Sequence, residues 1–285
     1  MMPYQIGWFS TGRGEGSREL LTTAYNAIQD GTIPGEIAFV FCSRERGEAE
    51  GSDQFMDLVE EYGIPLVSFS SRRFDPKKRR EGLKDSKKLG RDSETLQAWR
   101  IAYDREVMKR LDRMRAELNV LAGYMLVTGA ELCRRHTIIN LHPAEPGGPK
   151  GMWREVIREL IETRSVRTGV MMHLVTEVLD EGSPITYCTF PIQGGDFDAL
   201  WEGMARKLRR KSLAQIMEEE GDAEPLFAEI RRQGVIRELP LIVRTVKAFA
   251  EERIAIADGK VVSNGKALEG AYDLTEEIDR IVGRG

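Results

Sequence analysis

Histidine is scarce in this 285-residue chain, which has three, at His136, His142 and His173. Cysteine is equally rare: Cys42, Cys133 and Cys188 make an odd number, with no CxxC or CxxxC spacing. That pattern speaks against a disulfide scaffold and a thiolate zinc site, and a reducing cytoplasm is expected. No metal is expected. No apolar run approaches the roughly 18 residues that a membrane span needs. The opening MMPYQIGWFSTG has no basic stretch leading into a long apolar one, so no signal peptide is expected. A net charge of -4 gives no global positive field with which to hold nucleic acid.

What the chain does contain is alternation. Apolar runs at 4–10, 36–43, 64–70, 119–125 and 136–141 read as strands. Between them, helical spacing of apolar residues predicts helices over 18–31, 54–63 and 95–118. Strands that are apolar throughout and alternate with helices predict a doubly wound, mostly parallel sheet with helices on both faces, an α/β fold of Rossmann-like type. Further strands are expected at 170–176 and 184–190. A helix is expected over 239–252, followed by a C-terminal hairpin turning at Asp258–Gly259. Two charged segments interrupt the pattern as insertions in a single domain spanning 1–285. One is basic (about 71–94), the other helical in spacing (about 206–234). From Arg72 to Arg91 the first carries ten Lys or Arg and a single aromatic, Phe74. It reads as a solvated or disordered loop, with a flap over an anionic substrate as the alternative.

In such sheets ligands gather at the carboxyl ends of the strands. Two polar segments fall there. GRGEGS follows the first strand, where glycine amides and a helix start suit a phosphate or carboxylate. Its spacing is not the dinucleotide GxGxxG, and a plain tight turn explains it equally well. INLHP puts Asn140 and His142 two residues apart, hence on one side of an extended strand. An amide donor and an imidazole converging on one point can hold a developing oxyanion. Asp180 follows in HLVTEVLDEGSPI, where it is a third polar candidate or a turn former. His173, inside an apolar run, reads as a core or supporting histidine.

Taken in order, GEGS (14–17), AYDREV (102–107), LAGYM (121–125), INLHP and HLVTEVLDEGSPI resemble the folate-dependent formyltransferase family. Within it they are most similar to the glycinamide ribonucleotide formyltransferases of purine synthesis. The pairing of NLHP with HxVTxxLDxG carries most of the specificity. The resemblance implies a formyltransferase that uses 10-formyltetrahydrofolate as co-substrate and a small, phosphorylated amine as acceptor. It implies a catalytic trio of Asn140, His142 and Asp180. Gly14, Glu15, Gly16 and Ser17 would hold the acceptor phosphate, with Arg100 near the folate and the substrate. The pterin slot would be formed by Tyr124, Met125, Leu126, Val127, Val175, Thr176 and Leu179, largely through backbone groups. No membrane or nucleic-acid partner is expected, and a homodimer is allowed.

The departures fall on the acceptor side. Arg18 stands where the family usually has Asn, and AEPGGPKGMW replaces the family's run after its NIHP. Other acceptors, such as a hydroxyornithine or an amino sugar, therefore stay open. So does hydrolysis of 10-formyltetrahydrofolate, although hydrolases of this kind carry a regulatory domain ahead of the sheet, whereas here the sheet is expected to begin at residue 4. A non-enzymatic anion- or RNA-binding module is the remaining alternative.

Overall fold

The computed structural model describes residues 2–178 and 181–283. Strand β1 (Tyr4–Ser10) is the first strand of a unit made of Met1–Asn140, Leu174–Ser183 and Phe249–Glu252. It is followed by α1 (Glu15–Gln29), β2 (Gly35–Cys42), α2 (Glu50–Glu61) and β3 (Leu66–Ser68). Next come α3 (Pro76–Leu89), α4 (Glu94–Arg110), β4 (Leu118–Leu121), α5 (Ala130–Arg135) and β5 (Ile138–His142), which leaves this unit after Asn140. Its strands pair in parallel in the order β3-β2-β1-β4-β5. Phe9, Phe39, Phe41, Trp99, Tyr103, Leu121 and Ile138 pack as its core. Burying each such side chain contributes on the order of 1.5–3 kcal/mol.

Gly7 shows how tightly β1 is held. A Cβ there would overlap the Asn119 side chain on β4 and come within 2.7 Å of the Phe39 ring on β2. Only glycine lets both neighbours approach.

The second unit comprises Leu141–His173, Pro184–Ala248 and Arg253–Gly285. It holds α6 (Trp153–Glu162), β7 (Pro184–Pro191), α7 (Asp196–Leu208), α8 (Leu213–Glu220) and most of β6 (Arg167–Leu174) and α9 (Pro225–Ala250). β8 (Ala255–Ala257), β9 (Lys260–Ser263), β10 (Lys266–Ala267), β11 (Tyr272–Asp273) and α10 (Thr275–Val282) complete it. β6 and β7 are antiparallel, and β11 joins β7 in parallel. Val156, Ile157, Leu160, Phe190, Met204 and Phe227 lie in its core. Together the elements give the expected mixed α/β fold, with a mostly parallel sheet flanked by helices. The hairpin is present: β8 and β9 pair antiparallel around Asp258 and Gly259, both at positive φ (51° and 72°).

Several expectations shift, and the helix expected over 239–252 is the later part of α9, which begins at Pro225. β4 stops at Leu121 rather than 125, because Gly123 turns the chain at φ 70°. The helix expected over 95–118 ends at Arg110, and a turn follows in which Met114 N–H bonds the Leu111 carbonyl. The basic segment is not a loop: residues 76–89 form α3, capped by the Asp75 carboxylate on Lys78 N–H at 3.2 Å. Pro76 opens this helix, and Gly90, at φ 66°, ends it. Gly82 seats α3 on α4, since a Cβ there would meet Leu96 N at 2.7 Å.

Gly7→Ala should lower stability by about 1–3 kcal/mol, the usual cost of overpacking a full core. Denaturant unfolding reads this directly, and an unchanged midpoint would show that β1 can move away from its neighbours.

Candidate active site

The carboxyl end of β1 is tied to two neighbouring loops by hydroxyl groups. Thr11 is 2% exposed, and its Oγ1 accepts from Met125 N–H at 2.9 Å. The same oxygen shares a hydrogen bond with Ser43 Oγ at 2.9 Å. Thr11 N–H bonds the Gly123 carbonyl, and Ser43 N–H bonds the Ser10 carbonyl, both at 3.0 Å. The ends of β1, β2 and β4 are thereby held in register.

Beyond Thr11 the chain turns at Gly12 (φ 63°) and enters α1. Gly14 is the N-cap and offers no side-chain acceptor to the first amides of the helix. Nothing stands within 4 Å of where a Cβ would project from Gly14 or Gly16, and Gly14, Glu15 and Gly16 are exposed. Open amides at the positive end of a helix dipole are an anion-binding arrangement. Ser17 is buried, and its hydroxyl sits 2.5 Å from the position a Gly123 Cβ would take. A side chain at 123 would displace Ser17, so the glycine-rich turn and the loop 122–127 form one surface.

That surface takes in most of the residues expected to bind folate. Tyr124 is buried, its ring edge-on to Phe9 with centroids 6.0 Å apart. Burial, with Tyr103 and Asp104 nearby, raises its phenol far above the usual range. Its side chain therefore serves the core, and only its backbone is available to a ligand. Met125 is exposed, and Leu126 and Val127 are half-buried. Val175 is held by its N–H on the Ile138 carbonyl at 2.8 Å, and Thr176 Oγ1 donates to the Val178 carbonyl at 2.9 Å. Leu179 and Asp180 lie outside the described residues. Asn140 is half-buried on β5, in register with Leu121 at the end of β4. Arg100 is occupied: its Nη1 pairs with Asp92 at 2.8 Å.

Next to Arg100 stands a group that the quoted motif AYDREV contained but to which no role was given. Asp104 is 2% exposed and accepts the Gly129 N–H at the start of α5. Burial pushes its carboxyl up to about 7, against the opposing pull of the Gly129 N–H and Arg100. Asp104 thus anchors the far end of the loop that begins at Gly123.

In the second unit, His142 ends β5 and is 2% exposed. Its Nε2 lies 2.9 Å from the Pro149 carbonyl, so the proton in this arrangement is on Nε2. The His173 ring meets it edge-on, with centroids 6.0 Å apart, a supporting contact rather than a second catalytic position. Pro149 belongs to AEPGGPKGMW, so the loop that departs most from the family pattern holds the imidazole. Nothing in its composition signals that a backbone carbonyl there would do so.

Among the described residues no three His, Cys, Asp or Glu side chains gather as a metal would require, and Cys42, Cys133 and Cys188 are free thiols. No described helix is long and apolar enough to cross a membrane.

Comparison with known proteins shows the family and the fold. The Formyl transferase family profile matches residues 13–216. A phosphoribosylglycinamide formyltransferase of Schizosaccharomyces pombe is 28% identical over 190 residues, covering 64% of this chain and 81% of that protein. The Escherichia coli protein of the same name is 30% identical over 121 residues, covering 40% of this chain and 56% of its own length. Among solved structures, the phosphoribosylglycinamide formyltransferase of Coxiella burnetii superposes with a TM-score of 0.64 at 19% identity, covering 95% of this chain and 99% of that one. A formyltetrahydrofolate deformylase of Pseudomonas syringae superposes at 0.58 and 20% identity, covering 92% and 66%.

Asp104 yields a pH test. A carboxyl whose folded pKa stands near 7, above its ordinary 3.8, binds its proton more tightly folded than unfolded. Its contribution is full below about pH 4 and is lost as the pH rises towards 7. Asp104→Asn has no proton to lose and keeps an acceptor for Gly129. Its melting temperature should gain on the wild type between about pH 4 and 7, then run parallel above. A constant gap over that range would mean that Asp104 is ionised throughout.

Proposed function

We propose, since the chain belongs to the formyl transferase family, that it transfers a formyl group from 10-formyltetrahydrofolate to the amine of glycinamide ribonucleotide. The observation that carries this reading is the seating of Ser17 on Gly123, which joins an uncapped helix start to the loop that ends β4. One part of that surface suits a phosphate and the other a flat heterocycle read by backbone groups. In this reading the acceptor phosphate lies on the turn formed by Gly14, Glu15, Gly16 and Ser17. Arg18 supports it: its Nη1 is buried and has no hydrogen-bond partner among the described residues. A buried cationic donor left unpaired is costly, and a phosphate oxygen satisfies it.

Folate occupies the slot of Tyr124, Met125, Leu126, Val127, Val175, Thr176 and Leu179, with Arg100 beside it. Asn140 and a protonated His142, the latter through Nδ1–H while its Nε2–H stays on the Pro149 carbonyl, leave one face of β5 and donate to the formyl oxygen as the amine nitrogen attacks the formyl carbon. The new carbon–nitrogen bond forms, and the bond to the folate nitrogen then breaks. Asp180 orients His142 or an ordered water, through which the amine proton passes to the leaving folate nitrogen. No step calls for a metal. Residues 1–285 act in this reading as one cytoplasmic formyltransferase domain, with 71–94 and 206–234 as its insertions. The likeness to a formyltetrahydrofolate deformylase favours one second reading, in which water replaces the amine.

The test is deformylation of 10-formyltetrahydrofolate, followed by absorbance with and without glycinamide ribonucleotide. Turnover only with that acceptor is expected. Turnover without any amine would make the protein a deformylase, and activity confined to other amines would remove the purine assignment. His142→Ala should lower kcat by about 100-fold, the usual loss for an oxyanion donor or proton carrier. A rate within a few-fold of wild type would remove His142 from the chemistry. Arg18→Gln should raise the acceptor KM by roughly tenfold with kcat kept, as loss of one charge-assisted bond does.

A further inference from the structure

Charge is strongly unbalanced beyond the carboxyl ends of β2 and β3. Arg44 follows β2 by two residues, yet it is only 8% exposed. Its Nη1 donates to the Ser43 carbonyl at 2.9 Å and to Ser71 Oγ at 2.7 Å, which fixes the guanidinium in place. The nearest carboxylate, Glu48, stands 3.7 Å from its Nε. That carboxylate is shared with Arg73 at 3.3 Å, and Arg73 also takes Glu45 at 3.1 Å. The local acids are therefore divided between Arg44 and Arg73. No carboxylate among the described residues pairs with Arg72 or Arg79.

The turn that carries Arg72 nonetheless lies against the surroundings of both other cations: its Ser71 holds Arg44, and its Phe74 carbonyl accepts the indole N–H of Trp99, the ring beneath Arg79, at 2.9 Å. Burial, and then the charge of Arg72, lower the pKa of Arg44, with Arg79 adding to the effect. Arg79 is lowered in the same way by burial and by Arg72. Arg79 lies over the Trp99 ring, 5.5 Å from its centroid. A guanidinium set over an aromatic ring keeps its N–H edge free for an oxyanion. The Tyr103 hydroxyl is occupied, donating to the Phe69 carbonyl at 2.7 Å. Trp99 packs on Tyr103 inside the unit and is covered by Arg79.

We propose that Arg44, Arg72 and Arg79 form a second anion site, for a phosphate-type dianion, separate from the glycine-rich turn. The three guanidiniums belong to the loop after β2, the turn after β3 and α3, all bordering that turn, and one of them is buried and fixed by hydrogen bonds. A dianion bound among them relieves their repulsion and accepts charge-assisted bonds from planar donors. Its source is either a phosphate ester on a substrate or free phosphate acting on the enzyme.

The test is calorimetric titration of the full chain with inorganic phosphate and, separately, with ribose 5-phosphate. The proteins are wild type, Arg72→Gln, Arg79→Gln and Arg18→Gln. Arg72 is exposed, so its variant should fold as wild type does, which an unchanged melting temperature without ligand confirms. Two phosphates per wild-type chain are expected, with one lost or weakened at least tenfold in Arg72→Gln and in Arg79→Gln. Tighter binding of ribose 5-phosphate than of phosphate at this site assigns it to an ester, and equal binding assigns it to free phosphate. A single site lost in Arg72→Gln but kept in Arg18→Gln supports the second site and removes the phosphate role of the turn. A single site lost only in Arg18→Gln, unchanged binding in Arg72→Gln and Arg79→Gln, or no binding by the wild type would each overturn the proposal.

Discussion

The hydroxyl of Thr11 organises the first unit. One buried oxygen accepts from Met125 and shares a hydrogen bond with Ser43, so three loops on different strands share a fixed origin. A buried hydroxyl must be satisfied, and here both of its bonds are used to set the spacing of a surface. The Gly12 bend, the open start of α1 and the loop from Gly123 all take their positions from it. Valine, close in size, would leave Met125 N–H and Ser43 without this partner and unfasten two loops at once.

Glycine and serine do the rest of the positioning. Gly123 is the one residue type that turns β4 aside at φ 70° and leaves room for Ser17. Asp104 anchors the other end of the same loop through Gly129. The loop is thus pinned at both ends by backbone hydrogen bonds, while Met125 faces solvent between them. Such a framework presents main-chain groups in fixed directions, which suits recognition of a heterocycle edge better than mobile side chains do.

The sheet was legible in the sequence because its strands are apolar runs between helical repeats, as in YQIGWFS and GEIAFVFC. α3 was not, because its packing depends on Gly82 and not on an apolar stripe. Its boundaries were nonetheless written in Asp75–Pro76 and Gly90. α9 read as two separate segments, 206–234 and 239–252, yet one helix runs from Pro225 to Ala250 with Pro240 inside it. In the candidate site, the turn, the 121–125 loop and Asn140 were visible as motifs. The Pro149 carbonyl on His142 was not, since every non-terminal residue carries a carbonyl and sequence does not say where one points. Arg44 was equally hidden: its significance comes from the turn at Ser71–Phe74, which only the fold brings against it.

The stacked column of Trp99, Tyr103 and Phe69 has arginines at both ends, Arg79 over the indole and Arg110 over the Phe69 ring. Trp99 is further held by its indole N–H on the Phe74 carbonyl at 2.9 Å. An indole with a cation on its face and a fixed bond at its edge has an excited state sensitive to the local field. Of the four tryptophans, Trp99 is the one whose face carries Arg79, so its emission wavelength is an intrinsic optical gauge of the charge around the basic helix.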